Sequence, residues 1–275
     1  MTTMTRMIST GVGSLAVRVR GQGPTAVLWH SLFVDERSWG RVEDELATER
    51  RVVSVTGPGH GASDDPGRRY TLAECAAAAG TILDELGVDE PVDWIGNAWG
   101  GHIGIVFATD AAPRCRTLVT LGTPVRALNR TERARTVFLL AAHRMLGPVG
   151  FIRSGVTNVL LSAATRKRDP EAVALVGDCL VRAGRAALRN AVVSISLHRP
   201  DLTDRLPGLS VPTLFVTGSD HKGWTPEQAR AASRLVPQGS CAVVDGAAYL
   251  VPLEAPAETT DLVRRFWSAS VPEYP

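Results

Sequence analysis

A chain of 275 residues with 44% hydrophobic and 21% charged residues has the make-up of a folded globular protein with a sizeable core. Thirty Lys and Arg against 28 Asp and Glu leave a formal net charge of +2, which makes no case for nucleic acid or a membrane as a partner. No apolar run approaches the roughly 20 residues that span a bilayer, and MTTMTRMISTG at the start lacks the apolar centre of a secretion signal, so a soluble, cytoplasmic protein is expected.

Four cysteines, Cys75, Cys115, Cys179 and Cys241, show neither a C-x-x-C pair nor a ligand rhythm. They read as small buried apolar residues in a reducing compartment, and no metal or other cofactor is expected. Lysine occurs only as Lys167 and Lys222, so the basic charge is almost all arginine.

In chain order, Ser14 to Arg20 alternates apolar and polar residues and predicts a half-buried strand. Thr25 to His30 predicts a short buried strand that runs into His30-Ser31-Leu32-Phe33. Arg51 to Thr56 predicts another, followed by the glycine-rich stretch Gly57-Pro58-Gly59-His60-Gly61-Ala62-Ser63. That loop lacks the lysine of a phosphate-binding loop and opens no patterned helix, which argues against nucleotide binding. Thr71 to Leu86 predicts a helix with Thr71 and Glu74 as a capping box and Gly87 as its stop.

Val92 to Val106 (VDWIGNAWGGHIGIV) is an apolar run that turns through Gly96-Asn97-Ala98-Trp99-Gly100-Gly101 into a small-residue helix. Arg116 to Leu121 predicts a further strand. From 125 to 205 only helical patterns appear: Ala134, Val137, Phe138, Ala141 and Met145 recur at helical spacing, and Val156–Leu161, Glu171–Ala183 and Ala186–Ser196 predict more helix. Strand pattern resumes at Val211 to Thr217 and Cys241 to Val244. Helices are predicted from Pro226 to Leu235 and from Ala257 to about Trp267. Strands alternating with helices predict an α/β fold with a mainly parallel sheet covered on both faces.

The Gly96–Gly100 turn resembles the G-x-S-x-G nucleophile elbow of the α/β-hydrolase superfamily. The His30–Phe33 turn and the loop from Thr56 to Ser63 resemble the superfamily's motifs in the same order. The resemblance implies a core of residues 1–124 and 206–275, with 125–205 as an inserted helical cap. It further implies an oxyanion hole from the backbone amides of Leu32 and Trp99, and a pocket touching His30, Ser31, Asn97 and Trp224. It also implies a nucleophile, an acid and a histidine, and here the chain departs. The elbow position holds Ala98, the acid position after the seventh strand falls on His221 with Asp220 one residue early, and GAAYLVPLE puts Tyr249 where histidine belongs.

Of the other histidines, His30 reads as an anchor of its turn, His60 and His102 as loop and helix-face residues, and His143 and His198 as surface or packing residues. Arg166-Lys167-Arg168 reads as a solvated face. Three functions remain open. The first is an atypical enzyme acting on a small apolar carbonyl compound by acid–base lyase, isomerase or cyclase chemistry, with His221, Tyr249 and Asp220 as proton-transfer candidates. The second is a ligand-binding pseudoenzyme. The third is an ester or lactone hydrolase carrying alanine in place of its serine. A small-molecule substrate or ligand is the expected partner, with a homodimer left open.

Overall fold

A computed structural model describes residues 4–270. Eight strands form one sheet: β1 (Met4–Thr10), β2 (Gly13–Arg20), β3 (Thr25–Trp29), β4 (Arg51–Val55), β5 (Val92–Asn97), β6 (Cys115–Leu121), β7 (Thr213–Gly218) and β8 (Gly239–Val244). Their order is β1-β2-β4-β3-β5-β6-β7-β8. The β1–β2 and β2–β4 pairs are antiparallel and all later pairs parallel. The interior strands β3, β5 and β7 are buried at every position, as strands covered on both faces must be.

Helices α1 (Gly40–Leu46), α2 (Leu72–Glu85) and α3 (Trp99–Asp110) follow β3, β4 and β5. Five more, α4 (Arg130–Leu146), α5 (Gly150–Leu160), α6 (Ala163–Arg168), α7 (Pro170–Arg182) and α8 (Arg185–Val192), run between β6 and β7. α9 (Pro226–Ser233), α10 (Val251–Glu254) and α11 (Pro256–Ser270) complete the chain. The predicted capping box of α2 is formed by Thr71 and Glu74, and Gly87 behind the helix takes the positive φ that a stop there requires.

Four elements lie outside the sequence pattern. β1 is an edge strand of mostly polar residues, placed by its full register on β2. α1, α6 and α10 are only seven, six and four residues long, too short for a helical period to declare itself.

One prediction fails in its direction. The stripe Ala134, Val137, Phe138, Ala141 and Met145 on α4 faces solvent rather than core. The inward face is that of Thr136, Leu140 and His143, because the segment packs on a cavity with polar groups in its wall rather than on a dry core.

The sheet reverses its winding direction between β3 and β5. Crevices at the carboxyl ends of strands flanking such a switch are where open α/β sheets bind ligands. Both turns singled out in the sequence, after β3 and after β5, end there. No helix among the described residues is long and apolar enough to cross a membrane.

Candidate active site

The turn between β5 and α3 is built by close approach. A Cβ on Gly96 would lie 2.1 Å from the Gly100 carbonyl carbon, and one on Gly100 would lie 1.9 Å from the Trp29 carbonyl oxygen, so only glycine fits at either place. Between them Ala98, wholly buried, adopts φ 47° and ψ −98°, a left-handed conformation that costs about 1–3 kcal/mol for a residue with a side chain. The Gly100 amide donates to the His30 carbonyl at 3.2 Å and so pins the two turns together. The Leu32 amide has no acceptor among the described residues, and the Trp99 amide opens α3, where helical amides have no partner within the helix.

His30 is the anchor its place in the turn suggested. Its Nδ1 lies 2.7 Å from the Ser31 carbonyl and its Nε2 accepts the Gly57 amide at 2.8 Å, so both nitrogens are committed to backbone. The glycine-rich loop after β4 is likewise closed on itself. Gly59 donates to the Asp64 carbonyl at 2.8 Å and His60 to the Gly57 carbonyl at 3.2 Å, while the Trp99 ring fills the space over Gly57. Trp99 also lies against Trp29, His30, His60 and Tyr70, with ring centroids 5.3–6.4 Å away.

A cavity of about 340 Å³ opens above these turns. Leu32 and Trp99 line it from the sheet side, and Leu140, Ile152, Leu160, Val192 and Ile195 from the inserted helices. Among this apolar lining stand His102, His143, Arg126, Glu132, Arg199, His221 and Tyr249.

His221 and Tyr249 pack ring on ring with centroids 4.8 Å apart. The His221 Nδ1 accepts the amides of Gly223 at 3.1 Å and Trp224 at 3.0 Å, which makes Nε2 the protonated nitrogen. That Nε2 is buried without a partner. Burial lowers the His221 pKa to about 4, leaving the ring neutral at pH 7. Burial likewise pushes the Tyr249 phenol up, against the pull of Arg199 and a hydrogen bond with the Ser31 hydroxyl. Both rings therefore present hydrogen-bond donors rather than bases.

The loop that carries Tyr249 is held at two points. The Asn97 amide donates to the Leu121 carbonyl at 2.8 Å and to the Tyr249 carbonyl at 3.1 Å. The buried Glu254 carboxylate accepts the Ala248 amide at 2.8 Å and the Ser162 amide at 2.7 Å, tying the loop to the inserted helices.

Two expected site residues sit elsewhere. Asp220 has an exposed side chain and does not line the cavity, because the turn after β7 aims it outward and turns His221 in. Trp224 is buried in the core with its indole off the cavity wall, and its backbone amide serves the site by fixing His221. Ser31, Asn97, His30 and Ala98 lie directly behind the wall rather than on it.

The sequence pattern of the Alpha/beta hydrolase family matches residues 26–262. The chain belongs to that family. Over 119 residues it is 34% identical to a 2-hydroxy-6-oxo-2,4-heptadienoate hydrolase of Pseudomonas putida, spanning 43% of this chain and only 40% of that protein. Over 234 residues it is 30% identical to a 2-hydroxy-6-oxononadienedioate/2-hydroxy-6-oxononatrienedioate hydrolase of Cupriavidus pinatubonensis, covering 78% of this chain and 73% of the relative. Among solved structures, a thermophilic esterase from Thermogutta terrifontis superposes with a TM-score of 0.89 at 26% identity, covering 97% of this chain and 99% of its own.

Several lining groups escaped the sequence reading in this alpha/beta hydrolase. Arg199 is 7% exposed and donates to the carbonyls of Val125 at 3.3 Å and Arg126 at 2.6 Å, with no carboxylate partner among the described residues. Burial pulls its pKa below the ordinary arginine value. His143, expected at the surface or in packing, is buried in the cavity wall with both nitrogens unpaired. His102 spends Nε2 on the Pro124 carbonyl at 2.8 Å and leaves Nδ1 unpaired on the wall, its pKa held well below the usual value by burial and by Arg199. Glu132 is neutralised by Arg126, whose guanidinium lowers its pKa. Among the described residues no cluster of three His, Cys, Asp or Glu could hold a metal, and all four cysteines are free thiols.

Proposed function

We propose that this protein binds a small, largely apolar compound carrying a carboxylate and a carbonyl group, and moves a proton on it through an enolate without an acyl-enzyme. The observation that carries this reading is Arg199, a buried guanidinium on the cavity wall whose only acceptors among the described residues are two backbone carbonyls. A buried cation of that kind gains most from a ligand carboxylate, which it can meet with charge-assisted hydrogen bonds. On this reading residues 125–205 act as a cap that closes the ligand in.

The nucleophile position of the family is read as Ala98, the acid position as His221 and the histidine position as Tyr249. A methyl group cannot attack a carbonyl, so covalent catalysis at the elbow is lost. What the frame retains are amides and donors. The Leu32 and Trp99 amides are suited to an oxyanion, and such a hole together with binding alone sustains about 10³–10⁴-fold acceleration in serine proteases stripped of their triad. The His221 Nε2–H and the Tyr249 hydroxyl add two donors, and the unpaired Nδ1 of His102 can accept a hydrogen bond from the ligand.

The hydrolases named above carry the names of a 2-hydroxy-6-oxo dienoate and of 2-hydroxy-6-oxo dienedioate and trienedioate compounds, which share a carboxylate, an enol and a ketone in conjugation. Conversion of such an enol to its 2-oxo tautomer needs only loss of the oxygen proton and gain of one at carbon. The anion between the two states would be met by Arg199 and the amides. No bond to the protein is required.

A second reading, ligand binding without turnover, is favoured by the suppressed basicity of His221 and His102. Titration of the protein with 2-hydroxy-6-oxohepta-2,4-dienoate separates the two readings, with binding followed by calorimetry and the dienol chromophore by absorbance. Binding with accelerated loss of the chromophore, both diminished in Arg199→Met, is the expected result. Binding with no acceleration over buffer leaves the pseudoenzyme, and release of two carboxylic fragments would overturn both readings.

A further inference from the structure

α4 is apolar on two sides. Its inner side lines the cavity through Leu140 and His143, while on its outer side Val137, Phe138 and Met145 are 49%, 71% and 79% exposed. Phe151 and Val159 of α5 extend this uncovered surface at 63% and 64% exposure. An apolar face of this kind, rimmed by charge, marks a place where something docks.

The rim is strongly basic. Residues 130–189 hold eleven Arg and Lys against four Asp and Glu, a net of +7, whereas the whole chain carries +2, so the remainder is at −5. The near-neutral total that argued against a membrane conceals this separation. Arg130, Arg133, Arg135, Arg144, Arg153 and Arg185 are exposed, and none is in an ion pair among the described residues; the one carboxylate on α4 and α5, Glu132, is taken by Arg126. Arg185 reaches over the α4–α5 turn, where it lies against Gly147 and donates to the Arg144 carbonyl at 3.4 Å.

We infer that the outer face of α4 and α5 rests on an anionic lipid bilayer. Aromatic and aliphatic side chains flanked by arginine are what an interfacial helix buries among headgroups, and the arginines add attraction to anionic lipid. A second copy of the chain fits worse, because a two-fold contact through this face would set one arginine rim against the other. The cavity decides for lipid over an acidic protein partner. Leu139 and Val159 are at once 43% and 64% exposed and part of the cavity wall, so the apolar face runs into the cavity mouth. A ligand dissolved in the bilayer enters there without crossing water.

Co-sedimentation of the whole chain with vesicles of phosphatidylglycerol and phosphatidylcholine in equal parts, against phosphatidylcholine alone, tests this. The protein should sediment with the anionic vesicles only, and release at high salt. Arg130→Gln and Arg144→Gln should each weaken partitioning about fivefold, and Phe138→Asp at least tenfold. All three side chains are exposed, so melting temperatures should match wild type. Absence of binding to the anionic vesicles overturns the inference, as does binding indifferent to Phe138→Asp. A dimer in sedimentation equilibrium that Phe138→Asp dissociates, without vesicle binding, would assign the face to a second copy instead. Binding to soluble polyglutamate but not to vesicles would assign it to an acidic protein.

Discussion

Asp93 at the start of β5 and Arg199 above its far end are both buried charges, and the molecule treats them in opposite ways. Asp93, fully buried, is met by Arg116 at 2.9 and 2.5 Å, by the Thr117 hydroxyl at 2.7 Å and by Arg50 at 3.3 Å. Arg199 has two carbonyl oxygens and no carboxylate in direct contact among the described residues, Asp201 and Glu132 acting on it only from a distance. Burying an ion is tolerable when partners replace its water, and Asp93 is complete by that measure. Arg199 is incomplete, and it lies on a cavity large enough for a small molecule. The difference teaches where to look for a ligand: the charge that the fold leaves unanswered is the one a ligand answers.

The buried histidines test the same rule from the other side, since they escape the problem by staying neutral. Burial lowers the pKa of His60 to about 3 and of His221 to about 4, and holds His102 well below its usual value. In the unfolded chain each titrates near 6.5, so between that pH and the folded pKa the unfolded state binds more protons. Stability is therefore fully present above pH 6.5 and lost as the pH falls. Between pH 7 and pH 5 His60 and His221 should each withdraw about 2 kcal/mol, with His102 changing stability in the same direction, measurable by urea denaturation across that range. A flat profile would mean that these rings accept protons in the folded state and that the rule fails.

Asp93→Ala comes next in size. It strands two partly buried guanidiniums and should cost about 3 kcal/mol, the lower end for a broken buried pair. Arg199→Met, in contrast, should leave stability within about 1 kcal/mol, since an uncompensated buried charge exchanged for an apolar side chain is often neutral. What it should lose is affinity for carboxylate ligands, by about thirtyfold, read by calorimetry. If Arg199→Met unfolds the protein while Asp93→Ala does not, the two charges have been assigned the wrong way round. The smallest effect expected is at the turn itself. Ala98→Ser should give no brisk hydrolysis of nitrophenyl acetate, because the neighbouring His221 has its Nδ1 tied to two amides and offers no base. Rapid ester turnover in that variant would restore the reading of a hydrolase that lacks only its serine.

The fold was readable because its signals are local. Glycines at 96 and 100 admit one turn geometry, the capping box at Thr71 and Glu74 starts α2, and uniform apolar runs mark buried parallel strands. Leu32, Trp99, His221 and Tyr249 were found through the turns that carry them. Arg199 was not, because nothing beside it in sequence sets it apart from the other arginines of the inserted helices. Its hydrogen-bond acceptors are carbonyls more than 70 residues away. Asp220 and His221 illustrate the limit from within one turn: adjacent in sequence, they point to opposite sides, and spacing alone could not say which faced the cavity. The α4 stripe was misread for a related reason. Helical periodicity reports that a face is apolar, not what covers it.

The central claim is that Ala98 marks a change of chemistry rather than a disabled hydrolase, with Arg199 holding a carboxylate while a proton moves. Proton and deuterium NMR of 2-hydroxy-6-oxohepta-2,4-dienoate incubated with the protein in D₂O tests it most directly. The account predicts deuterium on the carbon chain faster than in buffer, an intact carbon skeleton, and loss of the acceleration in Arg199→Met. Cleavage of the skeleton, or exchange no faster than in buffer, would contradict it.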